Sequence, residues 1–150
     1  MVFIVVFLVL SLDQISKFII AKNLFLYQSI PIVKGFFHFT LIHNRGAAFG
    51  ILKNQVYFFI IISIAAIILI SSSLLNHQRH KKISCHTISL GLILSGALGN
   101  LIDRVFFGYV IDFLDFRVWP VFNIADSAIT VGAVLLAWSI LKKPKNMSCV

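Results

Sequence analysis

Glutamate is absent from this 150-residue sequence, and charge of either sign is scarce. Only 12% of the residues are charged and 59% are hydrophobic, whereas about a quarter of an ordinary soluble domain is charged. So few charged side chains cannot cover a soluble surface, and so much apolar area cannot be buried in one small core. The composition therefore excludes a soluble globular domain, a disordered chain and a nucleic-acid-binding module. It predicts a protein surrounded largely by lipid.

Long apolar runs are the most prominent feature that is present. A helix crosses a membrane with roughly 20 apolar residues, because each adds about 1.5 Å across a hydrocarbon core of about 30 Å. The windows that meet this length are residues 2–21, 56–75, 83–102 and 121–141. The first window lacks a basic start and a small-residue cleavage site, so we interpret it as a retained span. The sequence predicts an all-α integral membrane protein with four transmembrane helices in one domain.

The distribution of positive charge predicts the orientation of these helices. Residues 76–82 contain three Lys or Arg residues, and the tail after residue 141 contains three more. Because short cytoplasmic loops are enriched in Lys and Arg, we expect this loop and both termini to face the cytoplasm. Residues 23–55 and 103–120 are then extracytoplasmic. Cys85 and Cys149 would share the reducing side, where a structural disulfide is not expected.

The first outer segment contains a second kind of pattern. Residues 30–42 are rich in β-branched and aromatic side chains, and Pro31 and Gly35 interrupt any helix. We predict one or two short strands that form a small β-like cradle, a turn at 44–46, and a short surface helix at 47–53. The composition is equally compatible with a loop that seals the helix bundle and with a platform that holds a membrane-embedded substrate.

Two acids are predicted to lie near the outer boundary of the membrane. Asp126 is about six residues, or roughly 9 Å, into the fourth window, and Asp112 follows the third. Two adjacent carboxylates share one proton, so that one can accept a proton from water while the other polarises a carbonyl. The alternative for Asp126 is a helix cap or an interhelical hydrogen bond. Asp13 and Lys17 are four residues apart and are predicted to pair on one helix face.

Small residues in the third window predict a close helix crossing. Gly91, Ser95 and Gly99 recur at intervals of four residues, which lets a neighbouring helix approach closely. Such a crossing would carry Asn100 and Arg104 towards the acids, although packing alone also explains the small residues.

Several short blocks along the chain resemble the conserved blocks of the lipoprotein signal peptidase (signal peptidase II) family. They occur in the family's order, and a matching Asp13-Gln14-x-x-Lys17 precedes them. The blocks are residues 44–50 (NRGAAFG), 96–104 (GALGNLIDR), 110–113 (VIDF) and 122–127 (FNIADS). The connection from Asp112 to Asp126 is shorter than in many members of the family, so we expect only a small loop over the site.

The resemblance implies an aspartic endopeptidase of the bacterial cytoplasmic (inner) membrane, with its active site near the outer face. Its substrates would be prolipoproteins, cleaved before a Cys that already carries diacylglycerol. It implies Asp112 and Asp126 as the catalytic pair. Residues implied to bind substrate or support the site are Asn44, Asn100, Arg104, Asn123, Asp13 and Lys17. We expect no metal or other cofactor, no nucleic acid, contact with membrane lipid, and a monomer.

Two other functions remain open from the residues alone. Intramembrane acids often mark ion paths, so a small transporter or proton-coupled channel is one alternative. Such proteins more often have acids near the midplane and repeated halves, and neither pattern is present in the sequence. The other alternative is a non-enzymatic assembly factor in which the Asp side chains only pair helices.

Overall fold

The structure, a computed structural model, describes residues 2–46, 55–77 and 84–142. In chain order the elements are α1 (Val2–Asn23), β1 (Ser29–Val33), β2 (Phe37–Asn44), α2 (Val56–His77), α3 (Cys85–Phe107), β3 (Val110–Asp115) and α4 (Ile124–Leu141). The four helices are long and apolar enough to cross a membrane. The predicted membrane fold with four spanning helices and a small β cradle is confirmed. The predicted surface helix at 47–53 and most of the basic segment 76–82 lie outside the described residues.

Helix α3 lies at the centre of the bundle and packs against the other three helices. Its small residues permit this packing. A Cβ added at Gly96 would overlap the carbonyl oxygen of Ala125 in α4, and one added at Gly99 would lie 2.5 Å from Asp13 Oδ2 in α1. The predicted close crossing is therefore present, and Gly96 contributes to it in addition to the residues that the spacing indicated.

The three strands form one antiparallel sheet in the order β1-β2-β3. Leu41, Ile111 and Phe113 of the sheet form a buried cluster with Ile20 of α1 and with Leu24, which immediately follows α1. Strand β3 was not predicted from the sequence. A run of six residues is too short for its pattern to distinguish a strand from a helix, and β3 is stabilised by pairing with β2, which is distant in sequence. This pairing places Asp112 on a strand rather than in an irregular loop.

Two helix boundaries differ from the predicted windows by more than two residues. Helix α3 continues past residue 102 and ends at Phe107, and Gly108 is its C-cap. The φ of Gly108 is 74°, in the left-handed conformation typical of the residue that follows a helix. The apolar window stopped early because Asp103 and Arg104 follow it. Helix α4 begins at Ile124 rather than at 121, because Asn123 is its N-cap. The predicted outer segment 103–120 therefore begins inside α3 and contains β3.

Candidate active site

Asp112 lies on β3 with its side chain almost completely buried, at 1% exposure. Both carboxylate oxygens accept hydrogen bonds from amides. Asn44 Nδ2, at the end of β2, donates to Oδ2 at 2.9 Å, and Asn123 Nδ2, at the start of α4, donates to Oδ1 at 2.7 Å. The sheet and α4 thus hold the carboxylate from two sides.

Asp126 lies in the first turn of α4 and forms a capping box with Asn123. The Asn123 side chain accepts from the Asp126 backbone N–H at 2.8 Å, and the Asp126 carboxylate accepts from the Asn123 backbone N–H at 3.4 Å. Asn100 Nδ2 of α3 donates to Asp126 Oδ1 at 2.7 Å. The helix cap and the interhelical hydrogen bond, which were the alternative roles for Asp126, are therefore both present. Both contacts involve the Asp126 carboxylate and hold it in place.

The three asparagine amides have fixed orientations. Asn44 Oδ1 accepts a backbone N–H from residue 46, and Asn123 Oδ1 accepts one from α4. Asn100 Oδ1 accepts from Lys17 Nζ and from Asn123 Nδ2, each at 3.1 Å. Because each carbonyl oxygen already faces a donor, each NH₂ group faces a carboxylate. The amides therefore deliver hydrogen-bond donors to both acids.

A buried ion cluster lies beside these acids. Lys17 Nζ is 2.8 Å from Asp13 Oδ2 and 2.9 Å from Asp103 Oδ2, and all three side chains are 2% exposed or less. The predicted pairing of Asp13 with Lys17 is confirmed. Asp103 is paired as well, with a partner in α1 that sequence spacing does not reveal. Gln14 Nε2 donates to both carboxylates of the cluster, at 3.1 Å each.

The cluster contacts the backbone immediately before each candidate catalytic acid. The N–H of Ala125, which precedes Asp126, donates to Asp13 Oδ1 at 2.8 Å. The N–H of Ile111, which precedes Asp112, donates to Asp103 Oδ2 at 3.0 Å. One lysine therefore pairs with both of the carboxylates that position the two segments carrying the acids.

A cavity of about 860 Å³ opens beside the two acids. Five of the predicted site residues line it: Asn44, Asn100, Arg104, Asp112 and Asp126. The guanidinium of Arg104 lies 5.0 Å from the ring centroid of Phe59 in α2, so its charge faces the cavity beside an aromatic ring. Asn123, Asp13 and Lys17 are not among the lining residues and instead support those that are.

Most of the remaining cavity wall is apolar and was not predicted. Phe59, Ile62 and Ala66 come from α2, and Phe116 and Trp119 come from the loop after β3. The sequence offered one indication of this wall, an aromatic residue, Trp119, in a short loop. An aromatic residue in such a loop is equally typical of the membrane boundary, so it did not predict a cavity wall.

The environment of Asp112 changes its acidity. Burial, and next the nearby carboxylate of Asp126, raise the pKa of Asp112 from 3.8 to about 7, against the opposing hydrogen bonds from Asn44 and Asn123. A carboxyl group with this pKa retains a proton through a large part of the near-neutral range. The pair can therefore contain a proton donor and a proton acceptor at once.

Comparison with known proteins identifies the family. The model of the signal peptidase (SPase) II family matches residues 5–142. The chain belongs to the signal peptidase II family. A lipoprotein signal peptidase of Halothermothrix orenii is 48% identical over 145 residues, which cover 97% of this chain and 98% of that protein. One of Moorella thermoacetica is 49% identical over 136 residues, covering 89% of this chain and 88% of that protein.

Solved structures agree with this membership in the signal peptidase II family. A bacterial membrane enzyme determined by the in meso method at 2.3 Å superposes with a TM-score of 0.87 at 34% identity, covering 99% of this chain and 93% of that one. A second, at 1.9 Å, gives a TM-score of 0.80 at 34% identity, covering 95% and 93%. The family resemblance inferred from the sequence blocks is confirmed, and the chain is a multi-pass bacterial membrane protein.

Proposed function

We propose that this chain is a membrane-embedded aspartic endopeptidase that removes signal peptides from diacylglyceryl-modified prolipoproteins by cleaving before the lipidated Cys. One observation carries the proposal: Asp112 and Asp126 line the same cavity, and the amides of Asn100 and Asn123 connect their carboxylates. The name lipoprotein signal peptidase, which the relatives bear, supports the choice of substrate.

In the proposed mechanism the two carboxyl groups share one proton. The ionised member removes a proton from water, and the oxygen of that water attacks the scissile carbonyl carbon. The protonated member donates its proton to the carbonyl oxygen. Collapse of the tetrahedral intermediate breaks the C–N bond as the first acid gives its proton to the leaving nitrogen, and the second acid regains a proton from a hydroxyl group of the intermediate. This sequence of proton transfers requires no metal and no other cofactor.

The location of the site follows from the same proposal. We place both termini in the cytoplasm and the cavity near the outer face of the membrane, where a lipid-anchored precursor presents its cleavage site. The apolar wall from α2, which includes Phe59, Ile62 and Ala66, suits the apolar part of such a precursor, because burying its apolar surface there is favourable. A single copy of the chain supplies both acids, which supports a monomeric enzyme.

The test is cleavage of a purified precursor with and without the diacylglyceryl group by wild type, Asp112→Asn and Asp126→Asn. We expect wild type to cleave the lipidated form and each variant to lose at least about a thousandfold in kcat while remaining folded. Thermal unfolding of each variant in detergent checks the fold, and a chelator should leave wild-type activity unchanged. A variant that turns over normally would refute the roles of the acids. Loss of stability alone would favour an assembly factor.

A further inference from the structure

Asp115, at the end of β3, is a buried acid that the proposed mechanism does not use. It is 5% exposed. Its Oδ1 accepts the backbone N–H of Arg117 at 2.8 Å, and its Oδ2 accepts Thr40 Oγ1 at 2.7 Å and Arg117 Nη1 at 3.2 Å. Burial raises the pKa of Asp115, but the hydrogen bonds from Thr40 and Arg117 outweigh it and leave the pKa below its usual value. The carboxylate is therefore charged at neutral pH and holds Arg117 at two points.

Arg117 adopts an unfavourable backbone conformation. Its φ is 66°, in the left-handed region that non-glycine residues rarely occupy. The N–H of Val118 donates to the carbonyl oxygen of Phe116 at 2.8 Å, so Arg117 is the central residue of a three-residue turn. A turn of this kind with positive φ is the rare, strained form. Such strain persists only where surrounding contacts maintain it, and Asp115 supplies two of those contacts.

This turn shapes residues 116–121, which we name the rim loop. The rim loop is closed by reciprocal backbone hydrogen bonds between Leu114 and Phe122, at 2.8 and 3.1 Å. Its residues Phe116, Trp119 and Pro120 line the cavity that contains the two candidate catalytic acids. The direction that the chain takes at Arg117 therefore determines where these apolar side chains lie.

We propose that Asp115 is a positioning residue for substrate binding, which acts through Arg117 to hold Phe116, Trp119 and Pro120 as an apolar contact for the precursor beside its scissile bond. This inference rests on the proposed function. The rim loop would stabilise the bound substrate and the transition state equally, because none of its side chains takes part in the reaction. Loss of the contact should therefore raise KM and leave kcat nearly unchanged.

The experiment measures kcat and KM for a diacylglyceryl-modified precursor peptide with Asp115→Asn, Arg117→Ala and Arg117→Gly. Asp115→Asn removes the charge that holds the guanidinium of Arg117. Arg117→Ala removes the guanidinium itself but retains the energetic cost of a positive φ. We expect KM to rise about tenfold in both, with kcat within about twofold of wild type. Glycine adopts positive φ without this cost, so Arg117→Gly should have a KM closer to wild type than Arg117→Ala.

Thr40→Val is the matched control. It removes the other hydrogen bond to Asp115 and leaves both contacts with Arg117 in place. We expect it to lower the melting temperature without changing KM. A KM in Asp115→Asn equal to that of wild type, or a KM rise in Thr40→Val as large as in Asp115→Asn, would overturn the positioning role.

A second readout keeps this inference separate from the proposed function. In a Trp138→Phe background Trp119 is the one remaining tryptophan, so its emission reports the rim loop without any substrate. Asp115→Asn and Arg117→Ala should change this emission, and Thr40→Val should not. A wild-type enzyme that fails to cleave the precursor would refute the proposed function, whereas an unchanged emission in Asp115→Asn would refute the positioning of the rim loop.

Discussion

At the scale of single residues, the site is defined by carboxyl groups that differ in their surroundings. Asp112 is buried beside another acid, and its pKa is raised to about 7. Asp115, three residues later on the same strand, receives three hydrogen bonds and has a lowered pKa. Acids whose environments move their pKa values apart are typical of sites that transfer protons. The same strand therefore presents one acid suited to proton transfer and one that remains charged.

The raised pKa of Asp112 predicts a specific dependence on pH. Because the folded protein binds this proton more tightly than the unfolded chain does, folding becomes less favourable as pH rises from 3.8 towards about 7. The shared proton is lost as pH rises through about 7, so kcat should fall above that value. A pH profile of kcat at saturating lipidated precursor measures this. A kcat that stays constant across this range would contradict a shared proton at Asp112.

At the scale of the element, the N-terminus of α4 combines a structural role with a role in the site. Asn123 is completely buried and caps the helix through Oδ1, while its Nδ2 donates to Asp112 and to Asn100. The cap is one of the commonest ways to begin a helix. The donation by Nδ2 is what links the cap to the candidate catalytic acid.

Two substitutions at Asn123 separate these roles. Asn123→Ser retains a capping oxygen but loses the Nδ2 donor, whereas Asn123→Ala loses both. We expect both to lower kcat by about tenfold or more, because Asp112 loses a hydrogen bond to a charged group. Asn123→Ala should cost about 1 kcal/mol more in the free energy of unfolding than Asn123→Ser. Equal stability of the two variants in detergent would show that the cap contributes little, and an unchanged kcat in Asn123→Ser would show that the donor does not act on the reaction.

At the scale of the whole molecule, one buried ion cluster connects the parts of the chain that form the site. Lys17 and Asp13 belong to α1, and Asp103 belongs to α3. Through backbone N–H groups the cluster reaches α4 at Ala125 and β3 at Ile111. Charges inside a membrane protein are costly unless they are paired, so this cluster couples correct assembly of four elements to the placement of both acids.

Substitution of Lys17 tests this coupling. Lys17→Met leaves Asp13 and Asp103 buried without their cation, and we expect it to reduce the free energy of unfolding by about 3–5 kcal/mol. Lys22→Met, an exposed lysine on the same helix, is the matched control and should have little effect. Thermal unfolding in detergent compares the two. Similar melting temperatures for Lys17→Met and Lys22→Met would show that the ion cluster does not hold the bundle together.

The sequence by itself determined the membrane architecture, because the length and apolarity of a span are local properties of the chain. It likewise determined the ion pair between Asp13 and Lys17, because residues four apart face each other on any helix. The motif blocks identified the family, and the β-branched and aromatic residues at 30–42 indicated the strands β1 and β2.

The tertiary structure alone decided how these parts meet. Strand β3, the pairing of Lys17 with Asp103, and the hydrogen bond from Thr40 to Asp115 all join residues from separate segments. The extension of α3 beyond residue 102 includes Asp103, whose charge is paired with Lys17 of α1, a residue outside the apolar window. Hydrogen bonds and ion pairs act over a few ångströms in space, whatever the separation along the chain, so no local pattern predicts those that join distant segments. Only the folded chain brings Asp112 and Asp126 to one cavity.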